Sequence, residues 1–147
     1  MKLPTIHEIK KMKDPSEELC LALVKDKWWA INFIKTRTPE ICKAAIEQSP
    51  HAWNYIEQKD RTPEINKMVI EKDWTFIKKM SITEQTDELC LLAARKGGAD
   101  VVNHIWNQNR TERLFLKFLE NNINIIKYIE DDKWTPKLLE WKVIYEA

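Results

Sequence analysis

A short signature recurs six times along the chain, at Ser16-Glu17-Glu18-Leu19, Thr38-Pro39-Glu40-Ile41, Thr62-Pro63-Glu64-Ile65, Thr86-Asp87-Glu88-Leu89, Thr111-Glu112-Arg113-Leu114 and Thr135-Pro136-Lys137-Leu138. The starts lie 22, 24, 24, 25 and 24 residues apart. A fixed period in the twenties is the mark of one supersecondary unit repeated in tandem. Such a unit cannot bury its apolar face alone, so it must stack on its neighbours.

Each signature reads as the start of a helix. A Ser or Thr hydroxyl can accept from a free backbone N–H, and Pro39, Pro63 and Pro136 stand where a missing amide costs least. Glu18, Glu40, Glu64 and Glu88 lie at the positive end of the helix dipole. In the first repeat Asp14, followed by Pro15 and Glu17, is an equally good start two residues earlier. Behind each cap runs an apolar stripe at helical spacing, such as Ile41, Cys42, Ala44, Ala45 and Ile46, or Leu89, Cys90, Leu92, Ala93 and Ala94. Polar breaks at Asp26, Ser49-Pro50, Asp73, Gly97-Gly98 and Asn121-Asn122 then turn the chain.

A second pattern follows every break: Ala30-Ile31-Asn32-Phe33-Ile34, Ala52-Trp53-Asn54-Tyr55-Ile56, Phe76-Ile77-Lys78-Lys79-Met80, Val101-Val102-Asn103-His104-Ile105 and Ile125-Ile126-Lys127-Tyr128-Ile129. Its first, second and fifth residues share a helical face, and the middle Asn or Lys points away. The expected fold is therefore all-α, with tandem two-helix repeats of about 24 residues forming a small α-solenoid or curved helical stack. A single domain over 1–147 divides into a half unit at 1–13, repeats at 14–37, 38–61, 62–85, 86–110 and 111–134, and a terminal half unit at 135–147. Trp53 and Trp141 fall at apolar positions and are expected in the core.

Repeat two, from Thr38 to Ile56, carries Cys42, Ala45, Ile46, Trp53, Tyr55 and Ile56. It resembles the unit of a tandem helical repeat family of unknown function found in large DNA virus, phage and bacterial proteins, T-P-E-[IL]-C-x-x-A-[VI]. Repeats one and four match well, whereas repeats three and five place Asn66 and Phe115 where that unit prefers Cys. The resemblance implies helix pairs over nearly the whole chain and brings no catalytic residue with it. By analogy with small viral repeat proteins it implies a host-directed factor of the host cytoplasm that inhibits or recruits one target.

Composition narrows the function classes. With 44% apolar and 32% charged residues and only two glycines, the chain is expected to fold. A formal charge of +1 supplies no long-range field toward nucleic acid or anionic lipid. Residues 1–13 lack the continuous apolar run of a secretory signal, and no later stretch approaches the ~20 apolar residues of a membrane span. A cytoplasmic protein without membrane attachment is the expectation. Cys20, Cys42 and Cys90 occupy one helix position in three repeats, which reads as a small apolar requirement rather than a disulfide framework or a reactive thiol. His7, His51 and His104 fall at unrelated positions, and no metal-binding spacing or phosphate loop is present. Neither catalysis nor a cofactor is expected.

Binding is what remains. Of seven tryptophans, Trp28, Trp29, Trp74, Trp106 and Trp134 fall near turns or helix ends, where half-exposed rings make good interface anchors. The outward row Asn32, Asn54, Lys78, Asn103 and Lys127 would form a polar ladder on one face. Another protein is the expected partner, and the leading function is a non-catalytic protein-binding module. Two alternatives stand beside it: nucleic-acid binding through Lys10-Lys11-Lys13, Lys25-Lys27 and Lys78-Lys79 with intervening aromatics, and a structural component of a larger assembly. The residues do not specify an oligomeric state.

Overall fold

Six side-chain hydroxyls start six α-helices in the same way. In the computed structural model, which describes residues 2–147, Ser16, Thr38, Thr62, Thr86, Thr111 and Thr135 each accept the backbone N–H three residues on, at 3.2–3.3 Å. The helices are α2 (Glu17–Asp26), α3 (Pro39–Gln48), α4 (Pro63–Lys72), α5 (Asp87–Gly97), α6 (Glu112–Asn121) and α7 (Pro136–Glu146). A shorter α1 (Ile6–Lys11) precedes them, with Thr5 as its cap. Proline is the first residue of α3, α4 and α7, as the missing N–H allows. Of the two starts available to repeat one, the chain uses Ser16.

The second element of each repeat is a six-residue 3-10 turn rather than an α-helix. These turns span Trp28–Phe33, Pro50–Tyr55, Trp74–Lys79, Ala99–His104 and Ile123–Tyr128. The tighter i→i+3 pattern, which is used in short pieces, satisfies their backbone. The burial pattern read from the sequence nonetheless holds. Ala30, Ile31 and Ile34, and their counterparts in the other four turns, are all at most 6% exposed, while the middle residue is exposed every time. The fifth residue of each pattern has extended backbone and turns inward just after the 3-10 segment.

The irregular spacings have local causes. Three-residue 3-10 turns at Gln58–Asp60, Asn107–Asn109 and Asp131–Lys133 lead into the caps at Thr62, Thr111 and Thr135. Repeat one joins Ile34 to Thr38 without such a turn, which accounts for its 22-residue spacing. Repeat four gains its extra residue where α5 runs to Gly97 and Gly98 follows at φ 82°, a left-handed conformation suited to glycine.

The described residues form two compact units, Met1–Lys72 and Asp73–Ala147. In the first, α3 packs on α2, α4 and the Trp28–Phe33 and Pro50–Tyr55 turns, and those two turns pack on each other. In the second, α5 packs on α6 and on the turns at Trp74–Lys79 and Ala99–His104, and α6 and the Ile123–Tyr128 turn both meet α7. Each unit thus has a row of α-helices and a row of 3-10 turns. Every regular element among the described residues is helical, and no helix among them is long and apolar enough to cross a membrane.

The apolar stripes are narrower than their sequence suggests. Ile41, Cys42, Ala45 and Ile46 are buried on α3, but Ala44 is only half-buried, as are Leu92 and Ala94 on α5. Trp141, expected in the core, is also half-buried, on a helix whose buried residue is Leu138.

Candidate functional site

An arginine recurs immediately before the cap, at Arg37, Arg61 and Arg110, and glutamine takes this place at Gln85. Each closes its own turn. Arg37 Nε donates to the carbonyls of Ile31 and Ile34 at 3.2 and 3.0 Å, Arg61 Nε to Ile56 at 2.8 Å, and Arg110 Nε to Ile105 at 2.9 Å. Gln85 Nε2 donates to Ile77 at 2.8 Å. The Ile31 and Ile77 carbonyls also accept the backbone N–H of Ile34 and Met80, at 3.2 Å each, whereas Ile34, Ile56 and Ile105 stand just past their turns, where the arginine side chain serves carbonyls at the end of a short helical segment.

Three of them, Arg37, Gln85 and Arg110, also reach the following repeat. Arg37 Nη1 donates to the Tyr55 carbonyl at 2.7 Å, and Gln85 Nε2 to that of His104 at 3.0 Å. Arg110 forms an ion pair with Glu130. Within the first unit the Trp28–Phe33 and Pro50–Tyr55 turns are thereby tied to each other, and within the second the Trp74–Lys79 and Ala99–His104 turns. The sequence contained a signal for this tie, since a polar residue stands directly before the caps Thr38, Thr62, Thr86 and Thr111, but a polar residue beside a cap reads as a solvated loop until its carbonyl partners are known.

Of the residues singled out from the sequence, Trp106, Asn103 and Lys78 come together. They line an open cleft of about 340 Å³ with His104, Asn107 and Arg110. Trp106 is 47% exposed, yet it is held at two points: its indole Nε1 donates to the Met80 carbonyl at 2.8 Å, and its backbone N–H donates to Gln85 Oε1 at 2.9 Å. Gln85 itself is buried. An exposed ring fixed in this way loses little further freedom on meeting a partner.

In the first unit Asn32 lines a cleft of about 390 Å³ with Phe33, Arg37, Lys10 and Lys35. Asn54 is exposed on the next turn. Trp28 is half-buried, its ring centroid 6.1 Å from that of Tyr55 and 6.4 Å from that of His51, so it packs between repeats one and two. Trp29 is 40% exposed, edge-on to Phe33, with the Lys27 ammonium 5.8 Å from its ring.

The remaining candidates in the second unit serve packing or stand apart from the cleft. Trp74 is half-buried against Gly97 and lies 6.0 Å from His104. Trp134 is half-buried with Lys142 5.2 Å over its ring. Lys127 is exposed, 5.9 Å from the ring of Tyr145.

The three thiols are buried. Burial pushes Cys42 up to about 11, with Asp60 adding to the rise and Arg37 opposing it, and pushes Cys90 up to about 12, with Asp87 adding to the rise. Cys20 shifts in the same direction for the same first cause. Thiols held this way are poor nucleophiles and behave as small core side chains. No group of three His, Cys, Asp or Glu side chains suited to a metal ion occurs among the described residues. Comparison with protein families, curated proteins and solved structures gives no match to this chain.

Proposed function

We propose that the chain is a non-catalytic protein-binding module that presents the outward row of its 3-10 turns to one target protein. The observation that carries this reading is Trp106, exposed over nearly half its surface and clamped through both its indole and its backbone beside Asn103 and Lys78. Large aromatic anchors that are already ordered give interfaces much of their energy. The resemblance of the repeat unit to viral and phage sequences favours a host-directed factor that inhibits or recruits its target.

The test is affinity capture from lysate with and without nuclease, comparing wild type with Trp106→Ala and with Trp29→Ala, each first shown to keep its helical circular dichroism. A stoichiometric protein that survives nuclease and is lost with Trp106→Ala is the expected result. Nuclease-sensitive capture would replace this reading with nucleic-acid binding, and capture of nothing would favour a structural role in a larger assembly.

A further inference from the structure

Asn32 in one unit and Asn103 in the other occupy the same position in the repeat, and the clefts at which they stand are built alike. Each cleft is lined by that Asn, by the ring that follows it (Phe33 or His104), by the next isoleucine (Ile34 or Ile105) and by the arginine before the cap (Arg37 or Arg110). Both arginines are fixed by carbonyl acceptors, so the two clefts have preset floors. Among the described residues neither Asn side chain has a hydrogen-bond partner, although each carries one acceptor and two donor hydrogens at an exposed site.

We propose that each cleft, within its own unit, docks an acidic, extended polypeptide segment. The main-chain N–H and C=O of such a segment pair with the Asn32 amide in the first cleft or the Asn103 amide in the second, and its carboxylates meet Lys10 and Lys35 in the first or Lys78 in the second. This rests on the protein-binding reading above and gives that reading a partner chemistry.

Three features select such a partner. An exposed primary amide matches a peptide main chain because it offers a donor and an acceptor side by side. The second cleft has no carboxylate in its lining, and since its Arg110 is paired with Glu130, Lys78 is the cation that an acidic side chain meets there. The first brings in Lys10, Lys35 and Lys59, but also Glu57 and Asp60. Those two carboxylates repel a phosphodiester chain, which binds by neutralising charge at successive phosphates, whereas a peptide can place its carboxylates beside Lys10 and Lys35 alone. Both volumes lie at the lower end of the ~300–1,000 Å³ typical of ligand sites, room for a short extended segment.

The experiment is fluorescence anisotropy with three labelled probes: a decapeptide alternating Glu and Val, its counterpart with Lys for Glu, and a single-stranded oligothymidylate of the same length. The acidic peptide is expected to bind wild type, more tightly at low salt. At the second cleft Lys78→Glu should weaken binding about tenfold and Asn103→Ala about fivefold, and Lys35→Glu combined with Lys78→Glu should abolish binding at both clefts. All three positions are exposed, and unchanged melting curves would show that the variants fold. Equal binding of the two peptides, indifference to every substitution, or binding of the oligothymidylate alone would each overturn the proposal. If a captured protein still depends on Trp106 while the acidic peptide fails to bind, the module reading stands and its acidic partner does not. If neither binds, both readings fall.

Discussion

The indole Nε1 of Trp53 donates to Oδ1 of Asn66 across 2.8 Å, with both side chains buried. Asn66 stands at the helix position where repeats one, two and four carry Cys20, Cys42 and Cys90. A thiol is a weak acceptor, so the departure at repeat three answers the tryptophan of repeat two. Arg61 covers the other side of this indole, its guanidinium carbon 3.5 Å from the ring centroid. Asn66→Leu leaves a buried N–H without this acceptor and should cost about 1–3 kcal/mol. Adding Trp53→Phe removes the orphaned donor and should lose less than the sum of the two single changes. Urea unfolding of the double-mutant cycle checks this, and strict additivity would mean the bond contributes nothing.

The six equivalent caps give a second prediction. Thr111→Ala removes the acceptor for the Leu114 N–H at the start of α6 and should destabilise the protein by about 1 kcal/mol, whereas Thr111→Ser should cost less. Chemical denaturation of the two variants distinguishes a lost cap from a lost methyl contact.

Gly97 is required by its neighbour. A Cβ there would lie 2.5 Å from the ring atoms of Trp74, so Gly97→Ala must displace the indole. Overpacking of this kind should cost about 1–3 kcal/mol. A shift in tryptophan emission that is absent when Gly97→Ala is made on a Trp74→Phe background would assign the displacement to that ring.

The cysteines predict a pH dependence. The folded thiols of Cys42 and Cys90 ionise only near 11 and 12, whereas an unfolded thiol ionises near ~8.5. The folded state therefore holds these protons after the unfolded chain has released them. Their contribution to stability is complete below about pH 8.5 and declines as pH rises toward the folded values. Replacing both by Ala should flatten this alkaline loss in urea titrations. A thiol-specific reagent at pH 8 should modify the native protein only as fast as it opens, and prompt stoichiometric reaction would contradict the buried placement.

Much of the fold is legible in the sequence because the determinants are local. A hydroxyl that caps a helix acts on an N–H three residues away, and proline at the first helical position acts on its own dihedral, so Thr38-Pro39 and Thr62-Pro63 announce α3 and α4 without reference to the rest of the chain. The inward set Ala30, Ile31 and Ile34, with its four counterparts, is equally readable, because residues that face one way must be apolar together. The outward positions of Asn32, Asn54, Lys78, Asn103 and Lys127 follow from the same periodicity.

Tertiary structure decided what depends on partners distant in sequence. That each second element is a 3-10 turn rather than an α-helix was not legible in the sequence, and neither were the carbonyl partners that Arg37, Arg61, Gln85 and Arg110 find at these turns. The tryptophans separate for the same reason. Trp53 and Trp106 both sit beside apolar residues in sequence, but Asn66 and its neighbours enclose one, while Met80 and Gln85 hold the other open to solvent. Periodicity sets the direction in which a side chain leaves its helix, and only the folded neighbours determine whether anything covers it there.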